Sequence, residues 1–273
     1  MKRAFYCSAL SAVTLPGRLG ILCSLAVLAG CGSARQPWND PHYADAMETG
    51  RSVFDLGQMG QAAGQYRLAL QRAFIADDAR EIHDAGFNLA TAELRAGNPQ
   101  GALKTLDRVE QALLLRHWPL RADLHLVRAA AYLKLGNWEG ACQQARLAQK
   151  APDPATVSAA LVMEGLAEGQ LGDLQGVTAV LAQLQHVPEG SVLAAGVQEV
   201  QALQAYLSHQ WMAAITLAGK AAAGWRTEFD YGDMRRALSL EARALDASGD
   251  TDGAARLQTV IEASRNAEAA SQK

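Results

Sequence analysis

Apolar residues recur every three or four positions along most of the chain, and no long stretch alternates apolar with polar. The first spacing belongs to an amphipathic helix and the second to a half-buried strand, so an all-α fold is expected. Polar breaks interrupt the helical pattern at regular intervals. Gly97-Asn98-Pro99, Gly136-Asn137-Trp138, Gly172-Asp173-Leu174, His209-Gln210-Trp211 and Gly249-Asp250-Thr251 each stand between two apolar runs. Gly57-Gln58-Met59 is a weaker copy, in which Gly60 competes with Gly57 for the register. Turns starting at 57, 97, 136, 172, 209 and 249 are separated by 40, 39, 36, 37 and 40 residues.

The break at 136 shows the pattern most fully. Gly136 suits the left-handed conformation that closes a helix, and the next helix is expected from Trp138. Ala141 lies one turn further on, where a small side chain lets another helix approach. Ala148 follows on nearly the same face, and Ala129 and Tyr132 precede the turn at helical spacing. Ala62, Ala102, Val177, Ala214 and Ala254 take the place of Ala141 after the other breaks. The unit is a helix, a tight turn and a helix, with a small residue at the crossing. Trp138 and Trp211 are expected as core wedges and Cys142 as a buried spacer. Longer loops are expected at His186 to Ala195 and at Gly224 to Asp233. Trp225, Phe229 and Tyr231 of the second loop are read as a cap over the last repeat, with a second contact site as the alternative. The last helix is expected over Thr251 to Ala267.

This pattern resembles the tetratricopeptide repeat. Residues 122–155 carry the resemblance best, with Ala129, Tyr132, Gly136, Asn137, Trp138, Ala141, Ala148 and Pro152 at or within one residue of the favoured positions. It extends over about residues 42–268, strong in the middle and weak at the ends. The units exceed the usual length of about 34 residues, so another all-α repeat with longer units is the competing reading. The resemblance implies a right-handed α-solenoid of about six repeats, whose first helices line a concave face. One helix pair cannot bury its apolar face alone, whereas stacked pairs share a continuous core.

The N-terminus has a different character. Lys2, Arg3 and Arg18 precede the apolar run from Ile21 to Gly30, which is about half the length needed to span a bilayer. It reads as the hydrophobic region of a secretory signal. Leu28-Ala29-Gly30-Cys31 then resembles the lipobox of bacterial lipoproteins. That resemblance implies cleavage of residues 1–30 and acylation of Cys31, giving a tethered rather than spanning protein. Gly32, not Asp, resembles the outer-membrane-sorted kind, facing the periplasm. Residues 31–41, with two prolines, are expected to be anchor and leash, and 269–273 a polar tail. Loss of Cys7 and Cys23 with the signal would leave Cys142 beside the acylated Cys31, so no internal disulfide is expected.

Hydrophobic residues make up 49% of the chain but aromatic ones only 6%, as a helix-rich Ala and Leu composition predicts. Removal of Lys2, Arg3 and Arg18 would take the net charge from -3 to -6, a poor match to nucleic acid. His42, His83, His117, His125, His186 and His209 form no HExxH or paired metal spacing, and are read as surface or turn residues. No GxSxG elbow or Walker glycine loop is present. No metal, cofactor or catalytic role is expected.

A binding surface is what remains. The repeat register places Arg51, Phe54, Phe87, Asn88, Thr91, Arg95, Leu126, Ala130, Leu133, Lys134, Val162, Leu166, Tyr206 and Arg243 on the inner face. Asn88, Thr91, Arg95, Leu126, Leu133, Lys134, Val162 and Leu166 are the peptide-binding candidates. Some tetratricopeptide domains clamp a partner's C-terminal carboxylate with Lys and Asn. The corresponding positions here are Phe87, Thr91, Leu126 and Ala130, so that clamp is missing. The expected role is a lipid-anchored scaffold for a protein or peptide partner in the envelope, in pilus or secretion assembly or in recruiting envelope enzymes. A small-ligand or glycan-binding lipoprotein is the alternative.

Overall fold

The computed structural model describes residues 40–271 other than 186, 188–190 and 192. The expected signal, Cys31 and nearly all of the leash lie outside the described residues. Among the described residues no helix is long and apolar enough to cross a membrane.

The described residues form twelve α-helices and no strand. They fall into six pairs: α1 (Pro41–Asp55) with α2 (Met59–Ala76), α3 (Ala79–Arg95) with α4 (Pro99–Leu115), and α5 (Ala122–Leu135) with α6 (Trp138–Ala148). The chain continues with α7 (Pro154–Leu171) and α8 (Leu174–Gln183), α9 (Ala194–Leu207) and α10 (Trp211–Thr227), and α11 (Tyr231–Ser248) and α12 (Thr251–Ser271).

All six expected turns occur where the spacing puts them. Gly57, Gly97, Gly136, Gly172 and Gly249 have φ between 73° and 97°, and His209 has φ 58°. Gly57 rather than Gly60 therefore closes α1. In four turns an Asx follows the glycine and caps the second helix. Asn98, Asn137, Asp173 and Asp250 accept hydrogen bonds from the backbone N–H of Gly101, Gly140, Gly176 and Gly253 at 2.8–3.0 Å. Each cap satisfies a donor that has no partner within its helix. The donor is a glycine each time, and geometry supplies the reason. A Cβ on Gly140 would stand 2.8 Å from the Asn137 side chain, and one on Gly176 2.8 Å from that of Asp173.

The small residue that follows each turn sits at a crossing. Ala62, Ala102, Ala141, Val177 and Ala214 are fully buried. Ala254 is only partly covered, in the last pair of the described stack. Close approach recurs between helices, as where Gly169 of α7 would meet Leu203 of α9 at 2.6 Å if it carried a Cβ.

Consecutive helices pack against one another throughout, and from α3 to α11 each odd-numbered helix also touches the next odd-numbered one. Among the described residues no comparable packing joins successive even-numbered helices. The odd-numbered row therefore lines the shorter, inner side of the stack. One large core cluster runs from Ala46 to Ala131 and another from Leu133 to Leu240.

The ends and loops differ from expectation in three places. Asp40 belongs to the fold rather than the leash, because its side chain caps α1 through the His42 N–H and pairs with Arg72 at 2.5 Å. Helix α12 continues to Ser271 instead of ending at Ala267. Most of Gly224 to Asp233 is helical, leaving only residues 228–230 as a corner between α10 and α11. Ion pairing explains the second difference, since Arg235 of α11 reaches Glu268 at 2.5 Å and Ser264 at 3.1 Å.

Candidate peptide-binding surface

Seven of the eight candidate residues fall into three groups, and Leu126 stands apart. Leu133, Val162 and Leu166 are at most 3% exposed and lie inside the core. They offer a peptide no surface, which corrects their assignment to the groove. Val162 and Leu166 stand on α7, which packs against α5, α6, α8 and α9, so that almost every face of it is covered, and Leu133 stands on α5, which is covered by α3, α4, α6 and α7. Leu126 is half-buried on α5.

Asn88 and Thr91 are partly exposed on α3, but each turns back onto its own helix. Asn88 Nδ2 donates to the Asp84 carbonyl at 2.7 Å, and Thr91 Oγ1 donates to that of Phe87 at 2.8 Å. Phe87 and Ala130 are partly buried against the core, as is Phe54. Arg51 is exposed and pairs with Glu48 within its helix. Arg243 lies over the Tyr206 ring with its guanidinium carbon 4.6 Å from the centroid.

Arg95 and Lys134 form the third group. They stand in the last turns of α3 and α5, where a basic side chain also favours the helix dipole. Both reach the corner between α10 and α11. Arg95 donates from Nη1 to Asp230 at 3.4 Å and from Nη2 to the Glu228 carbonyl at 3.3 Å. Lys134 Nζ lies 3.3 Å from Asp230 and 3.1 Å from Asp233. The network continues inward. Asp233 pairs with Arg236 at 2.5 Å, and Arg236 pairs with Glu199, which is 1% exposed and also accepts from Trp225 Nε1 at 2.8 Å.

Electrostatics hold Asp233 and Arg236 ionised. Burial pushes the Asp233 carboxyl up, but Arg236 and Lys134 outweigh it and leave the group below the ordinary carboxylate range. Burial likewise opposes the Arg236 charge, which Asp233 and Glu199 restore. A buried pair of this kind stands only when each charge is matched.

The aromatic residues near this corner separate accordingly. Trp225 packs among Ala221, Ala222, Met234 and Ala237. Phe229 is 75% exposed with φ 58°, and Tyr231 is 44% exposed. The corner bearing them approaches α3 and α5; it is not a cap over the last repeat. Trp138 packs against the core as expected. Trp211 is half-buried and makes edge contacts with Tyr206 and His209, at 5.4 Å and 5.0 Å between centroids.

Two further titratable side chains are shifted by their surroundings. Cys142 is buried, and burial with the nearby Glu168 pushes its thiol up to about 12, as fits a spacer. His83 was expected at a surface or turn but is 4% exposed, between Asp84 at 2.8 Å and Asp123 at 3.0 Å. Burial lowers its basicity, yet the two carboxylates more than offset this and hold it at about 9. It joins α3 to the start of α5.

Two shallow clefts accompany the surface. One of about 310 Å³ lies between α1 and α2, beside His42, Asp45, Leu68 and Arg72. The other, about 390 Å³, lies between α8 and α9 and is lined by Gln185, Gln198, Gln201 and Gln204 over Leu181 and Val197. Among the described residues no cluster of His, Cys, Asp and Glu has the arrangement of a metal site.

No family model and no curated protein matches the chain. Among solved structures it is similar to a tetratricopeptide repeat protein from Parabacteroides merdae, with a TM-score of 0.53 and 17% identity, over 82% of this chain and 93% of that one. At that identity the likeness concerns the fold. Together with the six helix pairs, it makes this chain an α-solenoid of the tetratricopeptide-repeat type.

Proposed function

We propose that the protein is a lipid-anchored scaffold of the cell envelope that holds a protein or peptide partner along the inner side of its solenoid. The observation that carries the binding role is the inner row of odd-numbered helices, where Arg95 and Lys134 place two cations toward the enclosed side. An extended or helical segment suits such a surface. The anchor rests on Leu28-Ala29-Gly30-Cys31 after an apolar run, and Gly32 favours the outer membrane facing the periplasm. Pilus or secretion assembly and recruitment of envelope enzymes are the settings in which such a scaffold is useful. Its mechanism is concentration: a tethered binder raises the effective concentration of what it holds.

In-cell crosslinking with the full-length chain as bait tests the binding role. The expected result is a partner captured by the wild type and lost when Arg95 and Lys134 are both replaced by Glu. Capture of nothing, or equal capture by both, would end this reading. Detergent-phase partitioning tests the anchor separately. Cys31→Ser is expected to move the protein out of the detergent phase or leave its signal uncleaved, and unchanged partitioning of a processed chain would remove the lipid from the proposal.

A further inference from the structure

The contacts of Arg95 and Lys134 are unusual in their span. They join residues 96 to 135 positions apart, from the second and third helix pairs to the junction of the fifth and sixth. The helices behind these side chains do not pack together, since α3 and α5 share no extensive contact with α10 or α11. The bridge therefore consists of charges meeting at a corner, without extensive helix packing behind it. Arg95 is 34% exposed and Lys134 20%, so solvent reaches both cations, whereas Asp230 and Asp233 are only 11% and 13% exposed. Stripping the cations away unreplaced would leave poorly solvated carboxylates unmatched, but Asp233 keeps Arg236 as a partner, and Asp230 gains water if the corner swings out. Exchange is therefore open to a segment that gives Arg95 and Lys134 equivalent carboxylates.

We infer that the corner at Asp230 to Asp233 is an internal occupant of the binding surface, and that the partner is an acidic peptide segment that displaces it. This rests on the scaffold reading above. The corner supplies a template for the segment's chemistry. Asp230, the N-cap of α11, and Asp233, in its first turn, present two carboxylates three residues apart, and both meet Lys134. Between them Gly232 leaves room for the ammonium, because a Cβ there would lie 3.2 Å from Lys134 Nζ. The displacing segment accordingly carries Asp-x-Gly-Asp, or a like pair of carboxylates flanking a small residue. Displacement leaves Arg95 and Lys134 neutralised by the partner, and carries the already exposed Phe229 and Tyr231 away from the bridge.

The test uses the full-length protein in detergent and a fluorescein-labelled peptide copying Thr227 to Arg235. Asp230→Asn is the informative variant. Asn caps a helix as well as Asp does, so the hydrogen bond from the Asp233 N–H is kept while the charge is lost. Fluorescence anisotropy is expected to show the peptide binding Asp230→Asn at least about tenfold more tightly than wild type, whose own corner competes at high effective concentration. Adding Arg95→Gln and Lys134→Gln to that variant is expected to abolish binding, and about 0.5 M sodium chloride to weaken it strongly. Hydrogen exchange is expected to quicken at residues 224–233 in Asp230→Asn, with the amides of α7 and α8 unchanged. Equal binding by wild type and Asp230→Asn, or binding that survives loss of both cations, would overturn the inference. So would a wild-type dimer, seen by sedimentation and dissolved by Asp230→Asn, since the occupant would then be a second copy. Failure here with a partner still captured by the bait would remove only the internal occupant. Success here with no partner captured would remove only the envelope scaffold.

Discussion

The turns at Gly136-Asn137 and at His209-Gln210 bend the chain in the same way with different chemistry. In the first, glycine supplies the left-handed residue and Asn137 caps the next helix through the Gly140 N–H. In the second, His209 takes the left-handed conformation with a full side chain, and Gln210 makes no side-chain cap. The missing interactions have a substitute, for Trp211 contacts the rings of Tyr206 and His209. What both turns share is the sign of φ and a fully buried alanine three residues into the following helix, Ala141 or Ala214. The repeat thus depends on the reversal and the close crossing. How the reversal is stabilised is open to exchange.

Replacing the shared element is expected to cost most. Ala141→Leu and Ala214→Leu each force a side chain into a crossing with no free surface, at about 3 kcal/mol or more. Urea denaturation is expected to show the two losses as similar, and a clear inequality would break the equivalence of the crossings. Trp211→Ala is expected to lose about 2 kcal/mol through its ring contacts and half-buried area, measured the same way. Asn137→Ala is expected to cost about 1 kcal/mol, whereas Gln210→Ala stays within about 0.5 kcal/mol. Equal costs for those two would show that the caps do not distinguish the turns. The smallest effect on the difference between the turns is expected from pH, which acts on both alike. His83 has a folded pKa of about 9, above its ordinary 6.5, so its contribution is complete below about 6.5 and fades as pH rises through 9. Thermal midpoints of wild type and Asn137→Ala should therefore fall together over that range, with the gap between them unchanged.

The turns were legible because they depend on local chemistry. Glycine and Asx at the right spacing identify a reversal whatever packs around it, and even His209 was found by the register of its neighbours. The glycine three residues after each Asx is equally visible in the sequence, but its reason lies in the distance from a Cβ to the cap. The binding surface was less legible. The helical period places Val162 and Leu166 on the inner face of α7, yet it does not say that neighbours cover that face as well as the others. Arg95 and Lys134 were found as inner residues. Their acidic partners were not, because a contact across more than 90 residues depends on the small rotation accumulated over several repeats. The burial and pairing of His83 are hidden in the sequence for the same reason, since Asp123 lies 40 residues away.

A stack of repeats ordinarily behaves like a row of books, in which disturbance at one end fades within a neighbour or two. The tie from Arg95 to Asp230 changes that behaviour. It makes the row into a ring with one weak link, so that fraying near α11 is felt at the end of α3 without passing through the helices between. Salt, which loosens such a link, would return the molecule to the behaviour of an open row.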